Sequence, residues 1–468
     1  MVVLDTTIVN VALPSIRRGL HLSPTDLQWV VNAYLLTLGG LILLGGRLGD
    51  HFGRKRVYLI GGAVFSAASL AGGLAPTGAV LLAARAVQGV GAALLAPGTL
   101  SLLTSVYTER RERTRALAVW SVVSASGATL GVLLGGVLTE FLGWRSVMFV
   151  NVPIGVLVIA LGSAALPETV RHDGDRRRLD VPGALAITAA LTALAYGLAE
   201  TEMYSWGSPR TLAVLGIAAG LFALAAFIES RAANALIPFA IVRRGPVATA
   251  VTMMLILGGV ITATIFFQSL YLQQVRGFDP LNAGLLLLPA GLMVMATPSF
   301  AARVTTRFGP RIVAAGGLAV GGGGILWMSR WGVHGSVVWQ FVAPSLQFGA
   351  GTSVCFFAIT VLLTSEIELA HSGLGSGLFN AGRQVGGSIG LAVMTAVAAA
   401  HTRRLAEGGT DSVRAALASG YGFALVMVAA LAFAGILVIA LHSRLRAQRA
   451  RASRSAESER PAPEPASG

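Results

Sequence analysis

The sequence predicts an all-α integral membrane protein that crosses the bilayer about fourteen times. Of its 468 residues, 54% are hydrophobic and 12% are charged, and the mean hydropathy is +0.72, which lies outside the range of soluble globular proteins. Apolar runs of roughly 20 residues, enough to cross the hydrocarbon core as a helix, recur along almost the whole chain. Basic residues cluster in alternate short loops, so the net charge of +14 indicates membrane topology and no nucleic-acid partner.

The apolar runs form two blocks of six spans with two additional spans between them. The first block comprises residues 1–14, 29–49, 57–75, 79–103, 116–139 and 145–166. The insert comprises residues 181–201 and 210–229, and the second block comprises residues 247–272, 281–302, 311–329, 336–362, 378–399 and 421–441. We therefore predict an N-terminal six-helix bundle (1–166), a two-helix insert with its flanking loops (167–246), a C-terminal six-helix bundle (247–442) and a disordered cytoplasmic tail (443–468).

The distribution of basic residues predicts the orientation of the spans. Loops rich in Lys and Arg stay in the cytoplasm, and the most basic loops follow spans 2, 4 and 6. Both termini are then cytoplasmic, although Arg17, Arg18, Arg403 and Arg404 lie on the predicted outer side. Abundant Ala and Gly, with Arg in place of Lys, indicate a GC-rich bacterial genome and hence a bacterial cytoplasmic membrane. The basic residues of the cytoplasmic loops are Arg54, Lys55, Arg56, Arg110, Arg111, Arg113, Arg115, Arg171, Arg176, Arg177 and Arg178.

The two blocks resemble each other at a displacement of about 256 to 259 residues. The segment GGRLGDHFGRKRV (45–57) aligns with AARVTTRFGPRIV (301–313), and the pair Gly127 and Gly131 aligns with Gly386 and Gly390. Parallel repeats related by an axis along the membrane normal characterise a large class of secondary transporters, whose substrate site lies between the halves near the middle of the membrane. The alternative is chance similarity between glycine-rich apolar helices; the nearly constant offset favours the repeat.

Few charged residues lie inside the predicted spans. Asp5 lies in span 1, Arg85 in span 4 and Arg383 in span 13, and a charge at the bilayer centre costs at least roughly 2.5 to 3.5 kcal/mol. A carboxylate taken out of water holds its proton more tightly and releases it when a cation approaches, whereas Arg stays charged. We therefore predict that Asp5 carries a proton and that Arg85 is its fixed tuning charge; a static ion pair that only locates two helices is the alternative.

Glycines and polar residues in the spans suggest packing and binding positions. Gly127, Gly131 and Gly135 recur at every fourth position of span 5, and Gly136 follows. Small residues at this spacing let helix backbones approach closely, which suits static packing or two helices that rock on each other. The residues predicted to line a substrate cavity are Asn32, Tyr34, Gln88, Gln268, Asn380 and Arg383.

The loop GRLGDHFGRKR, residues 46–56, joins spans 2 and 3. Asp50 among its basic residues can pair with one of them or cap a helix N-terminus, and such contacts can hold one conformation; a solvated topology loop is the alternative. The chain has no phosphate-binding GxxxxGK[ST] motif, no metal cluster and no nucleophile constellation. We therefore expect no enzyme and no cofactor, and the single cysteine, Cys355, forms no internal disulfide.

These motifs resemble the major facilitator superfamily, and within it the fourteen-span drug:proton antiporter branch of the EmrB/QacA type. The first-span motif of that branch is similar to LDTTIVNVALP (4–14), and the loop signature of the superfamily is similar to GGRLGDHFGRKRV (45–57). The span-4 motif and the start of span 6 are similar to RAVQGVGAALLAP (85–97) and GWRSVMFVNVPIG (143–155). The resemblance implies the major facilitator fold, proton coupling through Asp5 and Arg85, and a cytoplasmic gate formed by Arg47, Asp50, Arg54 and Arg56.

The resemblance also implies what the protein transports and how. It implies a monomer in membrane lipid that exports a lipophilic, often cationic, small molecule, such as a drug or antibiotic, in exchange for protons by alternating access. Two alternatives remain at this point. One is a proton-coupled transporter of a single endogenous metabolite, and the other is a membrane sensor that keeps the fold without transport.

Two features depart from the pattern of the family. The span-5 motif GxxxGPxxGG has Val132 at its proline position, so the helix loses an expected bend and the antiport assignment is weakened. Span 1 covers about 21 Å of a roughly 30 Å core if it ends at Pro14, and an apolar stretch precedes this motif in the family. We therefore expect that an N-terminal extension is missing; if Met1 is the true start, Asp5 is expected near the membrane interface.

Overall fold

The described part of the chain is helical, as the sequence predicts. The computed structural model describes residues 1–106, 109, 112, 123, 127, 130–166, 181–200, 208–231, 245–364, 372–407 and 412–458. The N-terminal half contains α1 (Val2–Leu20), α2 (Pro24–Phe52), α3 (Arg54–Gly73), α4 (Gly78–Val106), α5 (Leu130–Leu142) and α6 (Ser146–Ala165), and the insert contains α7 (Val181–Glu200) and α8 (Pro209–Arg231). The C-terminal half contains α9 (Gly245–Leu270), α10 (Pro280–Ala296), α11 (Pro298–Phe308), α12 (Pro310–Met328), α13 (Ala343–Thr364), α14 (Ser372–Glu407) and α15 (Val413–Ser458).

The structure confirms that many helices are long enough to span a membrane, but among the described residues their number does not reach the predicted fourteen. Within the described ranges, ten helices are long and apolar enough to cross a membrane, or eleven if the bent pair α10 and α11 counts as one span. Helices α1, α3 and α5 are outside this count: α1 and α3 carry several charges, and α5 is described over a shorter stretch. The total of fourteen therefore stays a prediction.

Both ends of the chain differ from the expected boundaries. We expected span 1 to stop at Pro14, but α1 continues through it to Leu20 and is 19 residues long, which corresponds to about 28 Å. Span 1 is therefore longer than the 14 residues on which we based the expectation of a missing N-terminal extension. At the other end α15 continues to Ser458, so helix occupies part of the tail expected to be disordered, because the Arg-rich and Ala-rich segment has a high helix propensity.

The turns between α2 and α3 and between α11 and α12 have the same backbone conformation, as the internal repeat predicts. Gly53 has φ 95° and ψ 126°, and its repeat partner Gly309 has φ 82° and ψ 152°. A positive φ in this range is strained for residues with a Cβ atom but accessible to glycine. The aligned Phe-Gly pairs therefore mark equivalent sharp turns.

Equivalent helices of the two halves also pack in the same way. In the first half, a Cβ atom at Gly135 of α5 would lie 2.8 Å from the carbonyl oxygen of Ile8 on α1. In the second half, a Cβ atom at Gly390 of α14 would lie 2.5 Å from Cα of Gly259 on α9. Since α9 and α14 correspond to α1 and α5 in the repeat, the glycines permit the same close helix pair twice.

The insert bridges the two halves on one side of the molecule. Leu191 and Ala195 of α7 pack in one apolar cluster with Leu36 of α2 and Ala392 of α14. Helix α8 packs in turn on α7, and most of its surface is exposed. The insert therefore covers the line along which α2 meets α14.

The two halves also meet at the end of the molecule that carries residues 21–23, 143–145 and 276–279, which we call the closed end. The helix pairs that make this contact, from the middle of the molecule toward the closed end, include α1 with α9, α2 with α14 and α5 with α10. We call these contacts the seam. The residue pairs of the seam are Asn10 with Ser269, Val11 with Gln273, Asn32 with Ser388, Gln28 with Thr395, Gly136 with Pro280, and Val132 with Gly284.

Helix packing at glycine can be tested by adding one methyl group. A Cβ atom at Gly91 of α4 would lie 2.6 Å from the backbone nitrogen of Phe65 on α3, so Gly91→Ala is expected to cost about 1 to 3 kcal/mol of unfolding free energy. The matched control is Gly216→Ala in α8, where no described atom lies within 4 Å, and which is expected to be neutral or slightly stabilising. Unfolding of the purified protein in detergent measures both; equal stability of the two variants would contradict the packing.

Candidate functional site

A cluster of polar side chains is buried inside the N-terminal half around Asp5. We call Asp5, Ser69, Arg85, Gln88 and Asn151 the Asp5 cluster; they lie on α1, α3, α4, α4 and α6. Asp5 is 0% exposed although it lies in the first turns of α1. The carboxylate is therefore buried among side chains of the protein.

Arg85 binds one oxygen of the Asp5 carboxylate. Its Nη1 lies 2.6 Å from Oδ2 of Asp5, and the Arg85 side chain is 1% exposed. The same nitrogen donates to Oε1 of Gln88 at 2.7 Å, and Nε donates to the backbone carbonyl of Val30 on α2 at 2.9 Å. The guanidinium also lies over the ring of Tyr34, 4.4 Å from its centroid. A buried charge pair is tolerated when its remaining donors and acceptors are satisfied in this way.

The other carboxylate oxygen of Asp5 accepts two amide hydrogen bonds. Nε2 of Gln88 and Nδ2 of Asn151 each donate to Oδ1 at 2.9 Å, and Nε2 of Gln88 also donates to Oγ of Ser69 at 2.8 Å. Sequence reasoning assigned Gln88 to the substrate cavity and did not single out Ser69 or Asn151. Asn151 stands in the quoted segment GWRSVMFVNVPIG, where a buried amide in an apolar span was the available signal; the sequence does not distinguish Ser69 from other serines.

The described side-chain hydrogen bonds at the Asp5 carboxylate all run toward its oxygens. Every described side-chain contact of the carboxylate is with a donor, from Arg85, Gln88 or Asn151. A proton bound by Asp5 would turn one of its oxygens into a donor and displace one of these hydrogen bonds. Among the described residues, Oδ1 of Asn151 is a buried acceptor without a partner. The site can therefore bind a proton only with a rearrangement of its hydrogen bonds.

The residues predicted to line a substrate cavity lie in different surroundings. Tyr34 and Gln88 lie at the Asp5 cluster, where both are buried. Asn32 lies at the seam, where its Oδ1 accepts a hydrogen bond from the Ser388 hydroxyl at 3.0 Å. The structure thus brings two of the predicted cavity residues to the predicted proton site and one to the contact between the halves.

The other predicted cavity residues belong to the C-terminal half. Nε2 of Gln268 donates to Oγ of Ser345 on α13 at 3.1 Å inside that bundle. Asn380 and Arg383 lie on α14 and are partly buried, and the backbone carbonyl of Arg383 packs against Gly258 of α9. The described contacts do not join these residues to Gln268.

The predicted gate residues lie at the turn between α2 and α3. Arg47 lies in the last part of α2, and Arg54 and Arg56 begin α3; the side chain of Asp50 lies outside the described residues. The basic residue that sequence reasoning left out of the gate is Lys55, whose Nζ donates to the carbonyls of Ser163 and Leu166 at 2.9 and 2.7 Å. This cation therefore ties the turn to the C-terminal end of α6.

The glycines of α5 contact both halves of the protein. Gly131 and Gly135 pack on α1, and a Cβ atom at Gly136 would lie 2.8 Å from the carbonyl oxygen of Pro280 on α10. A Cβ atom at Gly127 would have no described atom within 4 Å. The carbonyl of Val132, the residue at the motif's proline position, lies 2.9 Å from the Cβ position of Gly284. Helix α5 thus lies between the helix that carries Asp5 and the other half.

Comparison with known proteins identifies antibiotic exporters among the relatives. The sequence profile of the Major Facilitator Superfamily matches residues 1–391. The chain is 40% identical to the cephamycin export protein CmcT of Amycolatopsis lactamdurans over 434 residues, which cover 91% of this chain and 86% of that protein. It is 36% identical to the puromycin resistance protein pur8 of Streptomyces alboniger, covering 88% and 82% of the two chains. It is 34% identical to the multidrug resistance protein Stp of Mycobacterium tuberculosis, covering 86% and 74%.

Solved transporter structures share the fold at low sequence identity. An auto-inhibited peptide transporter of the POT family has a TM-score of 0.66 at 16% identity, with 95% of this chain and 96% of that chain covered. The nucleoside transporter NupG has a TM-score of 0.65 at 11% identity, with 94% and 98% covered. At this identity the likeness concerns the fold alone.

The pairing of Asp5 with Arg85 can be measured as a coupling energy. Removal of one partner of a buried ion pair costs about 3 to 5 kcal/mol, because the other charge is left buried. Asp5→Asn and Arg85→Met are therefore expected to destabilise the protein strongly, and the double variant is expected to lose about 2 kcal/mol less than the sum. Unfolding in detergent measures all three variants. The exposed carboxylate of Glu140 supplies the control, since Glu140→Gln combined with Arg85→Met should be additive; additivity of the Asp5 pair would refute the coupling.

Proposed function

Because the chain belongs to the Major Facilitator Superfamily, we propose that it exports drugs or antibiotics in exchange for protons. It is a transporter and not an enzyme, and its relatives at 34 to 40% identity are antibiotic and drug exporters and resistance proteins. The observation that supports the proton part of the proposal is the buried carboxylate of Asp5, held by Arg85, Gln88 and Asn151. An intramembrane carboxylate with a defined cationic partner is the group that proton-coupled transporters require.

Proton binding to Asp5 would change the contact between α1 and α4. The charged carboxylate holds the guanidinium of Arg85, which is also fixed by Val30 and Gln88. A neutral carboxyl group loses the ion pair, while Arg85 keeps its charge and its other partners. Helix α1 is then less tightly attached to α4 and can change its packing. Proton binding thus favours one arrangement of the helices and proton release favours the other, which is the differential interaction that a conformational change requires.

Asn151 is the partner we propose for the protonated form of Asp5. Its Nδ2 donates to the charged carboxylate, and its Oδ1 is buried without a described donor. Rotation of the amide by half a turn presents Oδ1 to a protonated Asp5, which then donates a hydrogen bond in place of accepting one. One amide can therefore bind the Asp5 carboxyl group in both protonation states, as a donor to the charged form and as an acceptor from the neutral form.

The closed end is proposed to face the outside of the cell. The turn with Arg54, Lys55 and Arg56 lies at the opposite end, and loops with this composition stay in the cytoplasm. The protein then lies in the bacterial cytoplasmic membrane with both termini cytoplasmic, and the structure represents the state that receives its substrate from the cytoplasm. In the opposite state the gate is proposed to close the cytoplasmic end, while α5 moves on α1 along Gly131 and Gly135. The proposed gate residues are Arg47, Asp50, Arg54 and Arg56.

The substrate is proposed to be a lipophilic, often cationic, compound that binds between the two halves. The residues proposed to orient it are Asn32, Tyr34 and Gln88 in the first half and Gln268, Asn380 and Arg383 in the second. The motifs in chain order, together with an insert of two helices, support membership of the fourteen-span antiporter branch. The six-plus-two-plus-six division follows from that membership, and a monomer in membrane lipid is the functional unit.

Transport by an Asp5→Asn variant tests proton coupling. In proteoliposomes with an imposed pH gradient, the wild-type chain is expected to accumulate a lipophilic fluorescent cation, a cephamycin or puromycin, and a protonophore should abolish this. Asp5→Asn is expected to lose gradient-driven accumulation, because Asn cannot exchange a proton, and to retain equilibrium exchange of the same compound. The control Glu140→Gln should behave as wild type. Accumulation by Asp5→Asn at the wild-type rate would remove Asp5 from the coupling step.

An Asn151→Leu variant tests the proposed partner of protonated Asp5. Loss of the amide leaves the neutral carboxyl group without its acceptor, which costs about 1 to 3 kcal/mol, so gradient-driven transport is expected to fall about tenfold or more. The pH at which transport is half-maximal should shift as well, because charged Asp5 keeps Arg85 and Gln88 as donors while neutral Asp5 loses its proposed acceptor. The control is Gln347→Leu, which removes a partly exposed amide bonded to Val320 in the C-terminal half. An unchanged pH profile of Asn151→Leu would contradict the role.

A further inference from the structure

Pro14 leaves one carbonyl of α1 without its normal helical donor. Proline has no backbone N–H, so the carbonyl four residues earlier, that of Asn10, cannot accept its usual helical hydrogen bond. Asn10 is 4% exposed, and Pro14 lies inside α1. A buried carbonyl without a partner is costly, and in membrane helices such groups are satisfied by side chains of neighbouring helices. The Asn10 carbonyl therefore needs a donor from another helix.

The donor comes from the other half of the protein. The hydroxyl of Ser269, near the end of α9, donates to the Asn10 carbonyl at 2.8 Å, and Ser269 is 0% exposed. One turn later, Nε2 of Gln273 donates to the carbonyl of Val11 at 2.8 Å and to Oγ of Ser269 at 3.2 Å. Two side chains of the C-terminal half thus bind consecutive carbonyls on the helix that carries Asp5.

Helix α1 is therefore held between the proton site and the opposite half. Asp5 faces α4 and α6, where it binds Arg85 and Asn151. On the other side, Asn10 binds Ser269 of α9, and Val11 binds Gln273 in the π-helical turn Tyr271–Val275 that follows α9. Opening of the closed end separates α1 from α9, so these hydrogen bonds can exist only while that end is shut. The Asn10 carbonyl then depends on water for a donor, because its own helix offers none.

We infer that Ser269 and Gln273 are positioning residues of the transport cycle, which hold α1 and its proton site against the C-terminal half through the Asn10 carbonyl freed by Pro14 and the adjacent Val11 carbonyl. The inference rests on the proposed function in one respect, namely that separation of the halves at this end is a step of transport. The contact stabilises the closed end and does so through Pro14: a residue with an N–H group at position 14 would satisfy the Asn10 carbonyl within α1 and make the Ser269 hydroxyl dispensable.

The test measures opening of the closed end without transport. Thr395 lies at the seam and is 8% exposed, so a cysteine placed there by Thr395→Cys, with the buried Cys355 changed to Ser, reacts with a soluble maleimide only when the seam opens. Loss of one net hydrogen bond shifts such an equilibrium about fivefold. In purified protein in detergent, Ser269→Ala is therefore expected to raise the labelling rate about fivefold. Thr264→Val is the control, since the buried Thr264 hydroxyl donates within α9, and should not change the rate.

A second proline separates the role of Pro14 from general helix softening. Ser269→Ala should lose its effect in a Pro14→Ala background and keep it in a Pro289→Ala background, where the proline lies inside α10. No effect of Ser269→Ala, or equal effects in both backgrounds, would overturn the inference. If Pro14→Ala does not fold, Ser269→Thr decides: slow labelling with Thr and fast labelling with Ala support the hydroxyl contact, and equal rates overturn it. The labelling experiment uses no substrate and no pH gradient. Its result can therefore be interpreted even if the protein does not exchange drugs for protons.

Discussion

The arrangement of the N-terminal half depends on the need to satisfy one buried carboxylate. A charge removed from water is costly unless ionic and hydrogen-bonding partners replace its hydration. Asp5 obtains these partners from α4 and α6, and Arg85 in turn binds α2. Each partner can reach the site only if its helix lies in its place, so the packing of the bundle and the chemistry of the site impose the same geometry.

The second half repeats the architecture without the charge. The turns at Gly53 and Gly309 share one backbone conformation, and glycine contacts recur between equivalent helices. Yet Ile261 stands where a displacement of about 256 residues places the counterpart of Asp5. The repeat thus supplies two similar bodies, while the titratable pair is confined to one of them. Helix α1 contacts both the ion pair and α9, and α2 contacts both Arg85 and α14.

Small residues and proline have complementary roles at the seam. Glycines on α5 and α10 let backbones approach without interlocking side chains, and such surfaces can separate at little cost in packing. Pro14 does the opposite, because it creates an acceptor that needs a specific donor from the facing half. A contact that combines few side-chain interlocks with a small number of directed hydrogen bonds is suited to repeated opening and closing. The insert, by contrast, covers the seam between α2 and α14 through apolar packing.

Hydropathy and charges inside apolar runs are local properties of the chain, so the amino-acid sequence alone predicted the all-helical membrane class, the family and the pairing of Asp5 with Arg85. The sequence also predicted that Gly53 and Gly309 occupy equivalent turns, since a sharp turn with positive φ requires glycine at one position. Tertiary structure decided the rest. The packing of α6 on α1 shows that Asn151 binds Asp5, and the packing of the end of α9 on α1 shows that Ser269 and Gln273 bind carbonyls of α1. The sequence could not predict these contacts, because the residues that make them are more than a hundred positions apart in the chain. The continuation of α1 through Pro14 had the same cause: proline is expected to end a helix, but a donor from the opposite half, invisible in the local sequence, satisfies the carbonyl that proline frees.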